Sequence, residues 1–553
     1  MTHTPRSHRI LTSLFVLTLA LCSGCDDDDK PRRAAPPDAS HPSQDDAGTP
    51  DAGTPGWDGT AIELEERGNW VDPGRSSACD FDTADASTSP CQEPSRFDVS
   101  SCEPTALAAL EQQGIYMVDL RTERTLADGG TLATGTFTSF RLSEDGTQDT
   151  MMGTPLLSRD TRDGGFSLVS RSTTNTTTAL RGCHTPTPDR ITGCFARCFG
   201  AGAIQKGTFT AHRVAKWSGE PESSGGLTLL SETHVATGEP VDVYVTKSHA
   251  YVVSMRRQGR NGGLSVYDVS DPHHPVFKTS ISLPHDNLWN AAWAHGDALY
   301  IASADSGTVV YDISNPAAPG FVRNLPSGTY GVHTLLVDGQ RLYAMAPESG
   351  TFVYDVTNPL DPVLLTNISL PEPLSLAGPH DAFAYQGRLY ISNANGGYSI
   401  MDVADLDDVR HLGQFVHGNK AFAHHSAVGT FAGRTIAFEG GEGTGAHLRV
   451  LDVTDPSHIV KIGEVRKRNV TSIHNLILRG QTLYVAWYQE GLRVFDVSNP
   501  TKPRQVAHHN TYRETDPERT DSPFTGAYGV RVPGDGYVYV VDSSRGLLVF
   551  AEL

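Results

Sequence analysis

GLRVFDVS, at residues 491–498, decides the fold, because six further copies of it stand between Gly263 and Leu553. They read GLSVYDVS (263–270), GTVVYDIS (307–314), GTFVYDVT (350–357), GYSIMDVA (397–404), HLRVLDVT (447–454) and GLLVFAEL (546–553). The acidic position falls at Asp268, Asp312, Asp355, Asp402, Asp452 and Asp496, with Ala551 in that register in the last copy, at intervals of 43 to 55 residues. A repeat of this length, written in strand-forming residues, is the pattern of a β-propeller with one four-stranded blade per copy. The expected fold class is all-β: a seven-bladed propeller over 227–553 behind a smaller, disulfide-bonded, mostly β domain. Propellers host unrelated activities, so this architecture leaves function open.

Upstream of each copy lies a second apolar strand: Ala250-Tyr-Val, Leu299-Tyr-Ile, Leu342-Tyr-Ala, Leu389-Tyr-Ile, Thr435-Ile-Ala, Leu483-Tyr-Val and Val538-Tyr-Val. The near-constant spacing makes the two strands one hairpin, and their almost unbroken apolar character suits blade faces covered by neighbouring blades. Asp-Val-Ser/Thr-Asp/Asn-Pro then supplies turn chemistry, so the repeated Asp reads as a turn residue rather than as one of a row of catalytic or calcium-binding carboxylates. The last copy stops after its third strand. A spare strand at 227–235, LTLLSETHV, is expected to pair with it and close the ring without an open edge.

The Asp-Val-Ser-Asn-Pro repeats preceded by Gly-Leu-x-Val-Phe/Tyr resemble the LVIVD-repeat family of secreted and surface bacterial propellers. The likeness is carried best by Ile473-His-Asn-Leu, by 491–500, by Gly526-Ala-Tyr-Gly and by 546–550. Departures are Ala404-Asp405-Leu406 in the fourth repeat and Thr435-Ile436 in the fifth. The resemblance implies an envelope-exposed propeller and brings no catalytic residues with it.

The chain starts with a basic segment (Arg6, His8, Arg9), an apolar run over 10–22 and then Ser23-Gly24-Cys25. Residues 1–25 therefore read as a secretion signal, and the small residues before Cys25 resemble a bacterial lipobox, which makes Cys25 the expected lipidation site. Residues 26–58, rich in Asp, Pro, Ala and Gly, read as a flexible acidic tether. The expected location is the bacterial cell envelope, with the outer membrane reached through the lipid anchor alone. With 44 basic against 64 acidic side chains, a formal charge of −20 and no basic block, nucleic acid is excluded as a partner.

Cys79, Cys91, Cys102, Cys183, Cys194 and Cys198 all lie in the middle domain, residues 59–215. Six cysteines in an exported segment imply three disulfides among fifteen pairings, whereas His184 beside Cys183 and the close pair Cys194 and Cys198 offer the weaker metal reading. Strands such as Gly135-Thr-Phe-Thr-Ser-Phe-Arg141 and Gly207-Thr-Phe-Thr-Ala-His-Arg213 alternate between turns, and a helix is expected over 103–113.

The candidate site is a level rather than a motif. Asn290, His333, His380 and His474 stand nine residues before the Leu-Tyr landmark, where each innermost strand begins, and His425 stands ten before Thr435. Innermost strands line the channel, so these side chains should converge at one mouth, ringed by the extra residues at 255–262, 439–445 and 512–525. The expected function is a binding module that takes a protein, peptide or glycan there, with no cofactor. A second reading is a metal-dependent oxidoreductase holding a transition metal on His333, His380, His425 and His474. A third is a structural surface protein in which each imidazole merely bonds a neighbouring blade. No Gly-x-Ser-x-Gly elbow, phosphate-binding loop, His-Glu-x-x-His or EF-hand is present.

Overall fold

The computed structural model describes residues 56–553 apart from 84–89, 104–106, 127–128, 163–164, 201, 217–218, 258, 326, 371–373, 375–376 and 418–420. The expected signal, Cys25 and most of the expected tether lie outside these residues. Seven sheets follow one another round a ring, the first five built wholly of strands consecutive in the chain. Blade one runs Glu239–Thr246, His249–Met255, Gly263–Asp268 and Val276–Ile281; blade two starts at Trp289–His295, blade three at Thr334–Asp338, blade four at Asp381–Tyr385, blade five at Phe422–Phe431, blade six at Leu476–Arg479 and blade seven at Ala527–Arg531. No helix among the described residues is long and apolar enough to cross a membrane.

The repeated residues explain the ring. Tyr251 and Tyr300 are fully buried, and each hydroxyl donates to the carbonyl of the next blade's turn proline, Pro316 at 3.0 Å and Pro359 at 2.7 Å. The landmark tyrosine thus buries its ring while its polar tip is satisfied across the blade boundary. In all six copies that keep it, the Asp carboxylate accepts the backbone N–H two residues on, as Asp312 does from Ser314 at 2.7 Å. These are turn-closing bonds.

Closure is by exchange of ends. Leu229–Thr233 pairs antiparallel with Gly546–Ala551 as the outer strand of blade seven, and Ser223–Ser224 adds a fifth strand to blade six. The edge of each of these blades is thereby occupied by chain that precedes the ring.

The middle domain is a closed barrel whose strands span Gly114–Thr125 to Ile204–Arg213. Its interior is packed with Tyr116, Leu120, Phe140, Phe166, Phe195 and Phe209 and is a core, not a ligand cavity. Both Gly-Thr-Phe-Thr strands pair with Gly114–Thr125, one on each side. Gly135 lies under the Trp70 ring, where an added Cβ would fall 2.3 Å from the indole, so this strand needs a glycine. The disulfides are Cys79–Cys194, Cys91–Cys198 and Cys102–Cys183, which removes every one of these thiols from metal ligation. Of the helix expected over 103–113, residues 108–113 are turn and coil, and 104–106 lie outside the described residues.

The barrel is docked on the ring by the very segments expected to form an open binding face. Arg213 pairs with Glu514, Arg141 donates to the Arg519 carbonyl at 2.9 Å, and Asp521 accepts from the Gly153 N–H at 2.8 Å. Ile115, Met117 and Val214 pack with Val470 and Tyr512 in one apolar cluster. The 512–525 insertion is therefore an internal interface. Its length serves the contact between the two domains.

Candidate functional site

One side chain per blade stands at the start of the innermost strand: Val241, Asn290, His333, His380, His424, His474 and Tyr528, in order round the channel. In blades one, two, five and seven the residue sits at a bulge, where Val241, Asn290, His424 and Tyr528 are each passed over in the pairing register. In the other three the backbone N–H pairs with the second strand, as His333 does with Met345 at 2.8 Å, His380 with Ser392 at 2.9 Å and His474 with Ala486 at 3.0 Å. A bulge re-aims a side chain, which is how blades of unequal length hold one level.

The imidazoles touch one another. Ring centroids are 4.1 Å apart for His333 and His380, 4.4 Å for His380 and His424, 4.2 Å for His424 and His474, and 4.9 Å for His474 and Tyr528. Asn290 donates to the His333 carbonyl at 3.0 Å. His380 Nδ1 stands 3.3 Å from the His424 carbonyl, and His474 Nδ1 stands 2.7 Å from the Tyr528 carbonyl. Since a carbonyl can only accept, these bonds place the proton on Nδ1 and leave the Nε2 lone pair of His380 and His474 directed elsewhere. Burial holds His333 at about 4 and His474 at about 3, and with the neighbouring rings it holds His380 and His424 well below the usual histidine value. The ring is uncharged at neutral pH.

The expectation for His425 is corrected by this geometry. The bulge between Ala423 and His425 puts His424 in the ring, and His425 faces another level, with Nε2 3.7 Å from the Asp381 carboxylate. There burial pushes the Asp242 carboxyl up to about 6 and raises Asp381 well above the usual carboxylate value, while Arg531 stacks at 3.9 Å over Tyr244 and 4.3 Å over Trp293. The adjacent pair of histidines hid a two-against-one register that spacing alone does not resolve.

Three further residues complete the site without having been marked by spacing. Glu442 ends the second strand of blade five, its Oε2 3.8 Å from His424 Nε2, and burial raises its carboxyl to about 7. Tyr488, fully buried and held at a φ of +22°, donates its hydroxyl to Glu442 Oε1 at 2.6 Å. Tyr528 lies edge-on to Tyr488 at 4.8 Å. The signals in the sequence were present but weak: a Tyr in Gly526-Ala-Tyr-Gly at the histidine level, and an acidic residue after Gly440-Gly441.

The level therefore combines three chemical characters. Neutral imidazoles, an amide and a phenol offer hydrogen bonds without net charge, Glu442 is a single acidic group, and His380, His424 and Glu442 bring one ligand-type atom each within 4.8 Å of the others. The mouth is not evenly covered. The barrel and the segment before it lie against the connections of blades five to seven, as the bonds from Arg466 to Gly68, Asn469 to Asp119 and Arg468 to Val214 record.

No curated protein matches the chain. Among solved structures, the computationally designed Ika8 protein is 10% identical with a TM-score of 0.41, covering 59% of this chain and 99% of its own. The WD40 β-propeller domain of Doa1 is 12% identical with a TM-score of 0.44, covering 60% of this chain and 98% of its own. The family model described as the LVIVD repeat matches residues 237–282, 291–325 and 473–511. The chain is thus a seven-bladed propeller that carries LVIVD repeats in blades one, two and six.

Proposed function

We propose that the protein is a binding module of the cell envelope that takes a protein, peptide or glycan at the histidine-lined mouth, on the arc of blades one to four. The observation that carries the reading is a rim of exposed apolar side chains on that arc. Leu283, Tyr330 and Val416 stand in the connections entering blades two, three and five and are 38%, 47% and 64% exposed. Exposed apolar groups around a polar, uncharged floor match an interface with a desolvated anchor and hydrogen-bonding specificity. Sugar hydroxyls and peptide amides suit that floor, whereas a polyanion is disfavoured by the chain's net charge. Export and lipid anchoring through Cys25 belong to the same reading, supported by three disulfides of a kind that persist in oxidising compartments.

The test is binding of the full chain to glycan and peptide arrays. Hits should be lost in the double variant Tyr330→Ala/Val416→Ser and kept in Phe277→Ser, which alters an exposed outer strand. An absence of hits, or hits indifferent to the mouth variant, overturns the reading. Cys25→Ala should move the protein from the membrane to the soluble fraction.

A further inference from the structure

We infer that His380, His424 and Glu442 form a site for one divalent transition metal, within the mouth that the binding reading uses and resting on that reading only for its location. The cluster is more than a coincidence of residue types. His424 is 4% exposed, yet its Nδ1 is buried with no hydrogen-bond partner among the described residues, and its Nε2 stands 3.8 Å from the Glu442 carboxylate. A buried imidazole nitrogen left unsatisfied costs stability unless something else meets the ring. The groups that surround it are those that hold metals.

Each of the other two donors is oriented by an outer partner. The Nδ1–H of His380 is directed at the His424 carbonyl, so its Nε2 carries the lone pair, and Tyr488 fixes Oε1 of Glu442, leaving Oε2 turned to His424. Such outer-shell bonds set the tautomer and direction of metal ligands. Two imidazoles and one carboxylate are a donor set that suits zinc or ferrous iron with coordination positions left open. Metal–ligand bonds of about 2.1 Å in tetrahedral geometry require donor separations of about 3.4 Å. All three donor atoms lie within 4.8 Å of one another, so binding calls for a contraction of up to about 1.4 Å. This site is narrower than the expected histidine ring: His333, His425 and His474 are not members, and the acidic ligand stands at the end of the Thr435-Ile-Ala landmark strand, beyond the repeated residues.

The experiment is metal analysis of the untagged full chain, exported to a periplasm, then supplemented in turn with Zn²⁺, Fe²⁺ under argon and Co²⁺, and dialysed. The expected result is retention of about one metal per chain, with Co²⁺ giving d–d absorption bands of low coordination number. Glu442→Gln, which keeps the shape and the Tyr488 bond, should lose the metal and the bands, as should His424→Ala, while His333→Ala keeps both. Far-ultraviolet circular dichroism identifies any variant that has not folded. Failure of the folded wild-type chain to retain metal, or retention undiminished in Glu442→Gln, overturns the site. Array binding without metal leaves the docking reading standing, and metal without array binding leaves the site standing alone.

Discussion

Blades five and six differ from blades one to four at one position of the same repeated strand. The third residue of that strand is Ser265, Val309, Phe352 and Ser399 in the first four blades, but Arg449 and Arg493 in the fifth and sixth. Both arginines are fully buried. Arg449 pairs with Glu66 through two bonds of 3.0 and 3.1 Å, and Arg493 pairs with Glu220 through two of 2.6 and 2.9 Å. Glu66 enters the barrel and Glu220 leaves it, so the barrel is clamped at both of its connections. A blade built for a symmetric ring has become a docking face by exchanging one small or apolar residue for a charge that its own Glu439 or Glu490 meets in part and that the barrel connection meets with a bidentate carboxylate. A buried guanidinium is costly when a carboxylate is taken from it, so the covering of that arc is fixed by charge, whereas the open arc of blades one to four has no such pair at this position.

Breaking a clamp should therefore have the largest effect. Arg493→Ala takes from Glu220 its bidentate partner and from the buried Glu490 one of its two cations, Arg468 remaining, and should cost about 4 kcal/mol. Protease cleavage should then appear in the connection around 217–222. Ser399→Ala, at the same position of the open arc, removes a hydroxyl that has no hydrogen-bond partner among the described residues and should change stability by less than about 0.5 kcal/mol. Equal urea midpoints for the two variants would dissolve the contrast between the arcs.

Cross-linking divides the molecule in the same way, since all three disulfides lie on the barrel side. Cys79→Ala/Cys194→Ala opens a link between residues 115 apart and should destabilise the barrel by about 3 kcal/mol. Calorimetry should show the barrel transition falling while that of the propeller stays. A propeller transition that falls equally would mean that the two domains unfold as one unit.

Acid should loosen the covered arc in two steps. His212, on the last barrel strand, is held at about 4 by burial and by Arg468 and Arg190, so its contribution is complete above about 6.5 and lost as the pH falls through about 4. Burial works against the charged forms of Glu66 and Glu220, but Arg449 and Arg493 outweigh it and hold each carboxyl at about 2. Their contribution is complete above 4.5 and fades toward pH 2. Hydrogen exchange in the barrel connections should rise first between pH 6.5 and 4 and again below 4.5. Exchange on the open arc at blades one and two is the internal control.

The ring, its hairpins and its closing strand were legible because duplication writes the same residues again and again. The unique contacts were not legible, for a physical reason. Arg449 and Arg493 sit in strands whose neighbours are all apolar, and their partners are 383 and 273 residues away in the chain, so no local pattern announces the pair. The histidine level was found by counting back from a landmark, and the count slipped by one where the bulge at His424 put an extra residue into the strand. Glu442 and Tyr488 belong to the loop end of their hairpins, where copies diverge and register gives no guide.

The smallest expected effect tests whether the two arcs share the same blade chemistry beneath their differences. Asp312 is a turn residue on the open arc, where its carboxylate accepts the Ser314 N–H at 2.7 Å, and Asp312→Ala should lower stability only slightly, the exposed bond being exchanged for one to water. Asp452 makes the same bond to Thr454 at 3.1 Å in blade five, but it is only 5% exposed and also pairs with Arg434. Asp452→Ala should therefore exceed Asp312→Ala by about 1 kcal/mol, because the guanidinium loses its partner as well as the turn its bond. Blade seven supplies the limiting case, having Ala551 at this position. If Asp312→Ala cost as much as Asp452→Ala, the repeated carboxylate would be doing more than closing a turn, and the open arc would hold a function in its outer loops as well as at its mouth.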